Sequence, residues 1–174
     1  MRASPCIAYS LCLMTSACAY ADEAAFRSLY KELVETNTTL SAGSCTEAAT
    51  LMKARLSQAG YPDGDLHLVT APDWPRQGNL VALLPGTDAS LKPLMLLAHI
   101  DVVEAKREDW LRDPFKLTEE DGYFYARGSA DDKAMAAIFT EAMIRFRQEG
   151  YHPRRGVKLA LTCGEETPNV FNGV

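Results

Sequence analysis

Five consecutive apolar residues, Leu94 to Ala98, end on His99, and this run restricts the fold more than any other segment. A run without polar alternation is what a strand buried on both faces requires, and such strands belong to sheets covered by helices. A charged loop follows it. A long helical pattern then begins near Asp132 and ends at Gly150, with Ile138, Phe139, Ala142, Met143 and Phe146 forming its inner face. Val157 to Thr162 is a second apolar run, closing on Cys163-Gly164-Glu165-Glu166. Strand, loop, helix, strand is a crossover unit of a parallel or mixed sheet, so the chain is expected to be α/β. Ligands of such sheets sit beyond the carboxyl ends of the strands. His99 and Glu165-Glu166 both fall on that edge.

The segments before this unit supply further elements. Phe26, Leu29, Tyr30 and Leu33 recur at helical spacing between Asp22 and Glu35. Ser44 or Thr46 can cap a second helix running to about Ala59, with Ala48, Leu51, Met52 and Leu56 on one face. Leu66, Leu68 and Thr70 alternate as in an edge strand, Asn79 to Leu84 is a short apolar strand, and Tyr123 to Ala126 is another.

With 174 residues and 47% hydrophobic content, the chain can bury the core of one domain. Its net charge of -5 has both signs interspersed, which argues against nucleic acid as a partner. Residues 1–21 read as a cleaved secretory signal: Met1-Arg2 is basic, Cys6 to Ala19 is mostly apolar or small, and Ala19-Tyr20-Ala21 is an A-x-A cleavage site. The expected mature protein is therefore secreted or periplasmic, spans residues 22–174 and has no membrane segment, the apolar stretch being too short for a good span. Of the five cysteines, Cys45 and Cys163 remain after cleavage, and they read as two buried thiols rather than a bridge.

Three clusters carry the chemistry. His99-Ile100-Asp101 offers an imidazole for a metal and a carboxylate to fix its tautomer, or else a solvated strand end. Asp131-Asp132 precedes the long helix, where one aspartate would serve as a cap, but two exceed what a cap requires. Glu165-Glu166 places adjacent carboxylates at a strand end, and a cation resolves their repulsion. One glutamate can then bind metal while its neighbour takes a proton from water. Imidazole with carboxylates suits zinc, and cobalt or manganese also fits.

The stretches Leu94 to Val103, Trp110-x-x-Asp113-Pro114-Phe115, Tyr125 to Lys133 and Leu161 to Glu166 resemble the co-catalytic dizinc amidohydrolases and exopeptidases. That family includes aminoacylases, glutamate carboxypeptidase, carnosinases, acetylornithine deacetylase and succinyl-diaminopimelate desuccinylase. The resemblance implies a three-layer α/β/α catalytic domain around a mixed, mainly parallel sheet. It implies that His99 binds one zinc, that Asp101 orients His99, and that Asp131 bridges both zincs, with the Asp131-Asp132 peptide cis. It also implies that Glu165 is the general base and that Glu166 binds the second zinc. The substrate would be a small peptide or an N-acyl amino acid. Members of the family carry a further acidic ligand, a late histidine and an inserted lid or dimerisation domain. His67 and His152, the other histidines, lie outside the motifs and read as surface residues. The expectation is thus the N-terminal portion of a zinc amidohydrolase, weakly active or inactive by itself. The alternative is an exported, non-catalytic domain that binds one metal or none.

Overall fold

The computed structural model describes residues 23–168 and 170–173; the proposed signal, residues 1–21, lies outside them. Residues 23–35 form helix α1. Helix α2 covers Cys45–Gln58, and the hydroxyl of Ser44, its N-cap, accepts from the Glu47 N–H, satisfying one of the free amides of the first turn. Strands β1 (Leu66–Ala71), β2 (Trp74–Leu84) and β3 (Leu94–His99) follow. A small hairpin, β4 (Thr118–Glu120) with β5 (Tyr123–Tyr125), precedes helix α3 (Lys133–Gln148), and β6 (Val157–Thr162) comes last. None of the described helices is long and apolar enough to cross a membrane.

The α/β class and the mixed sheet are as expected, and β3, α3 and β6 make the crossover, with Leu94 to His99 paired in parallel against Val157 to Thr162. Two particulars differ. The described sheet has the order β1-β2-β6-β3, and its other two pairings, β1 with β2 and β2 with β6, are antiparallel, so it is not mainly parallel. The physical cause is connection length. A two-residue turn joins β1 to β2 as a hairpin, which can only be antiparallel, whereas the parallel partner needs a helical crossover.

The second difference concerns layers. Leu80, Ala82, Ala98, Leu159 and Leu161 share one face of the sheet and join a single core with Leu33 of α1, Leu56 of α2 and Met143 of α3. Met95 and Leu97 alternate onto the other face, where they are 52% and 46% exposed. Among the described residues the helices therefore cover one face, giving two layers rather than three. Leu94 to Ala98 is apolar as for a strand buried on both sides, yet it is the edge strand of this sheet and is covered on one side.

The inner face of α3 also departs from expectation. Its buried residues are Lys133, Ala136, Ala137, Thr140 and Met143, while Ile138 is exposed. Small residues face the sheet because they let the helix approach closely. Phe139 and Phe146 pack at the margin of the core.

Candidate metal centre

The three clusters converge at the carboxyl end of the parallel pair. His99 ends β3, and its register partner Thr162 ends β6. The Ile100 N–H donates to the Thr162 carbonyl at 2.7 Å, so the two strands continue side by side into their loops. Beyond Thr162, the chain turns at Gly164, whose φ of +96° lies in the left-handed region open to glycine. The glutamates follow. His99, Glu165 and Glu166 each place one ligand atom within 4.8 Å of the others. Asp131 approaches from the loop before α3, with its Oδ1 3.0 Å from His99 Nε2, and Glu165 Oε2 lies 4.0 Å from the same nitrogen. The Asp131-Asp132 peptide is cis.

The other ring nitrogen faces Asp101. Nδ1 lies 3.2 Å from the Asp101 carbonyl oxygen and 3.5 Å from its carboxylate. Nδ1 is thus engaged with Asp101, and Nε2 is turned toward the acidic residues, the arrangement that fixes a ligating tautomer. Asp101 has a second task that sequence reading missed. Its two carboxylate oxygens accept the backbone N–H groups of Glu165 at 3.3 Å and Glu166 at 3.0 Å. One buried carboxylate therefore registers the imidazole and the glutamate loop against each other. No local pattern in the sequence reports a contact across more than sixty residues.

The electrostatics are those of a site with excess negative charge. The hydrogen bond to Asp101 raises His99 to about 9; burial opposes this, and Asp131 adds to it. Burial by itself would push Asp101 up, but its bonds to His99 and to the two N–H groups outweigh burial and hold it below the usual carboxylate range. Glu166 is raised by burial first and then by the neighbouring Asp131 charge. Asp132 is raised mainly by burial. A proton on His99 and raised carboxyls partly neutralise excess negative charge, a task that a divalent cation performs when it replaces the proton.

Lys133 is the first residue of α3. It is fully buried, and its ammonium donates to the Thr36 carbonyl at 2.7 Å. Thr36 closes α1, so Lys133 satisfies one of the unpaired carbonyls at that helix end. Its stem passes beside Gly128, where a Cβ would sit 2.5 Å from Val102 Cγ1, and φ is +74°. Burial lowers Lys133 to about 7. His67 and His152 are exposed, as expected. Cys45 and Cys163 are not free thiols: they form a disulfide, with their Cα atoms 6.1 Å apart. That spacing suits a bridge, and a sequence separation of 118 hides it from a linear reading.

Residues 95–174 match the model of Peptidase family M20/M25/M40. The chain is similar to the N-fatty-acyl-amino acid synthase/hydrolase PM20D1 of Xenopus tropicalis, with 43% identity over 81 residues, 47% of this chain and 16% of the relative. It is similar to aminoacylase-1 of Mus musculus, with 33% identity over 122 residues, 68% of this chain and 28% of the relative. In each case the chain spans well under a third of the relative's length. Among solved structures, human carnosine dipeptidase 1 shares the fold at a TM-score of 0.69 and 22% identity, over 86% of this chain and 34% of that one. A dipeptidase of Saccharomyces cerevisiae, Dug1p, does so at 0.67 and 22%, over 83% and 33%.

Proposed function

We propose that this chain, whose residues 95–174 carry the domain of peptidase family M20/M25/M40, supplies metal ligands and the general base of a zinc-dependent amide hydrolase. By family it is a metallopeptidase or amidohydrolase. The observation that carries the reading is the approach of His99, Glu165 and Glu166 to within 4.8 Å of one another, with Asp131 on His99 Nε2.

His99 and Glu166 would hold one cation each, with Asp131 between them. A zinc pair there would polarise the scissile carbonyl and acidify a water molecule. Asp101 holds His99 through Nδ1 and keeps Nε2 directed at the centre. Glu165, its side chain half exposed at 52%, is free to accept a proton from the attacking water and return it to the leaving nitrogen. The Glu165 and Glu166 N–H groups point at Asp101, so the loop presents both side chains while its backbone is engaged elsewhere.

The substrate class we propose is a small peptide or N-acyl amino acid, in keeping with the names of the relatives. We also propose export through residues 1–21, which the Cys45–Cys163 disulfide supports, since such bonds persist in oxidising compartments.

The test is zinc titration of the purified protein, followed by hydrolysis assays with N-acetyl amino acids and dipeptides. Glu165→Gln should leave zinc affinity nearly unchanged and lower turnover by about 10²–10⁴-fold. Zinc binding with no hydrolysis of either substrate class would turn the reading to a non-catalytic metal-binding domain. Absence of binding would refute it.

A further inference from the structure

We propose that the Cys45–Cys163 disulfide positions the Glu165-Glu166 loop for metal binding, so that the centre's affinity for zinc depends on whether the bond is closed. This rests on the metal-centre reading above.

The bond sits where the glutamate loop leaves the sheet. Cys163 follows the last residue of β6 and continues the alternation of Leu159 and Leu161, which face the helices. It meets Cys45, the first residue of α2, and both are essentially fully buried. The Cys163 backbone is fixed as well: its N–H donates to Asn79 Oδ1 at 2.8 Å, and its carbonyl accepts from the Gly173 N–H at 3.0 Å. Gly164 then turns the chain in a space closed by backbone, since a Cβ there would lie 3.1 Å from the Phe171 carbonyl oxygen. From Cys163 to Glu165 is two residues, a reach of at most about 7 Å.

The loop is therefore held at two places. Asp101 receives the Glu165 and Glu166 N–H groups on one side, and the disulfide anchors Cys163 to α2 on the other. Between these anchors, two adjacent carboxylates stand near Asp131, and like charges favour an open loop. The covalent anchor opposes that opening. Reduction by a dithiol or phosphine adds two electrons and two protons, breaks the S–S bond and leaves two thiols. The loop then relies on Asp101 and single hydrogen bonds, and its carboxylates spend less time converged on His99. Loss of such a supporting contact lowers metal affinity by about 10–100-fold.

The experiment is zinc titration, in competition with a chromophoric chelator, of three oxidised proteins: wild type, Cys45→Ala/Cys163→Ala, and Leu56→Ala. The alanine pair opens the anchor without creating thiols that could themselves bind zinc. Leu56→Ala destabilises the same helix from a buried site and leaves the anchor closed. The alanine pair should bind zinc at least tenfold more weakly, while Leu56→Ala stays within about twofold of wild type. Equal affinity of wild type and the alanine pair would overturn the inference. Equal losses in the two variants would overturn it too, since general loosening would then suffice. If the alanine pair loses its far-UV circular dichroism, Cys45→Val/Cys163→Ala, which refills part of the volume, takes its place. Unfolding of both makes the bond a global staple and overturns the positioning role. Failure of oxidised wild type to bind zinc is a distinct result: it refutes the metal centre itself, and this inference with it.

Discussion

Asp101→Asn tests the linkage between the imidazole and the glutamate loop. The native carboxylate is 5% exposed, receives the Glu165 and Glu166 N–H groups, and lies 3.5 Å from His99 Nδ1. Asparagine keeps the shape and one carbonyl oxygen. It loses the charge and turns an NH₂ group toward a donor. The bond to Asp101 is the first cause of the rise of His99 to about 9. A full return from about 9 to 6.5 would correspond to roughly 3 kcal/mol. Asp131 keeps its share at 3.0 Å, so the expected fall is at least about one pH unit, or ~1.4 kcal/mol. The sign determines where this shows. A folded pKa above the unfolded one contributes stability that is fully present below 6.5 and is lost as pH rises through about 9. In metal-free protein, Asp101→Asn should therefore cost most near pH 6. Above pH 9 only the weakened N–H acceptances remain, about 1–2 kcal/mol. The assay is an NMR titration of the imidazole protons, simplified because the chain has three histidines and the other two are exposed. Urea melts at pH 6 and above pH 9 complete it. An unmoved His99 titration, or a stability loss independent of pH, would refute the reasoning.

Three further outcomes are expected. His99 must release its proton to ligate a metal, so zinc affinity should fall about tenfold for each pH unit below about 9 on account of this group; chelator competition at several pH values measures the slope, and a flat profile would contradict it. Gly164→Ala should cost about 1–3 kcal/mol in denaturant melts, because its φ is +96° and the new Cβ meets backbone at 3.1 Å; an unchanged midpoint would show that the turn relaxes freely. Lys133→Met keeps an apolar stem and removes a buried charge whose folded pKa is lowered to about 7. Wild type gains stability with rising pH between 7 and 10.5 as the unfolded chain binds the extra proton, so Lys133→Met should compare better with wild type at pH 7 than at pH 10.

Much of the centre was legible because its signals are local. His99 ends an apolar run, Glu165-Glu166 follows one after a glycine, and Asp131-Asp132 opens a helical pattern. Strand and helix periodicity place such residues at element ends, and element ends of a crossover unit share one edge of the sheet. The Ser44 cap, the span of α2 and the β3–α3–β6 order were readable for the same reason, since each depends on residues a few positions apart.

Whatever depends on distant segments meeting was not readable. Cys45 and Cys163 look like two buried thiols until α2 is laid against the end of β6. Leu94 to Ala98 reads as a strand buried on both faces, but burial depends on what the rest of the described structure places over it. Lys133 stands in sequence at the start of a helical pattern, and only the docking of α1 beside α3 encloses it and gives its ammonium the Thr36 carbonyl. Asp101 reads as a partner of its neighbour two residues away, yet its acceptance of the Glu165 and Glu166 N–H groups arises from the parallel pairing of β3 with β6. Residue type and spacing thus determined which groups could do the chemistry and at which ends of elements they stand. Tertiary packing decided which of them are desolvated, which are tied together and how far their protons are displaced, because burial and Coulomb interaction depend on distance in space and not along the chain.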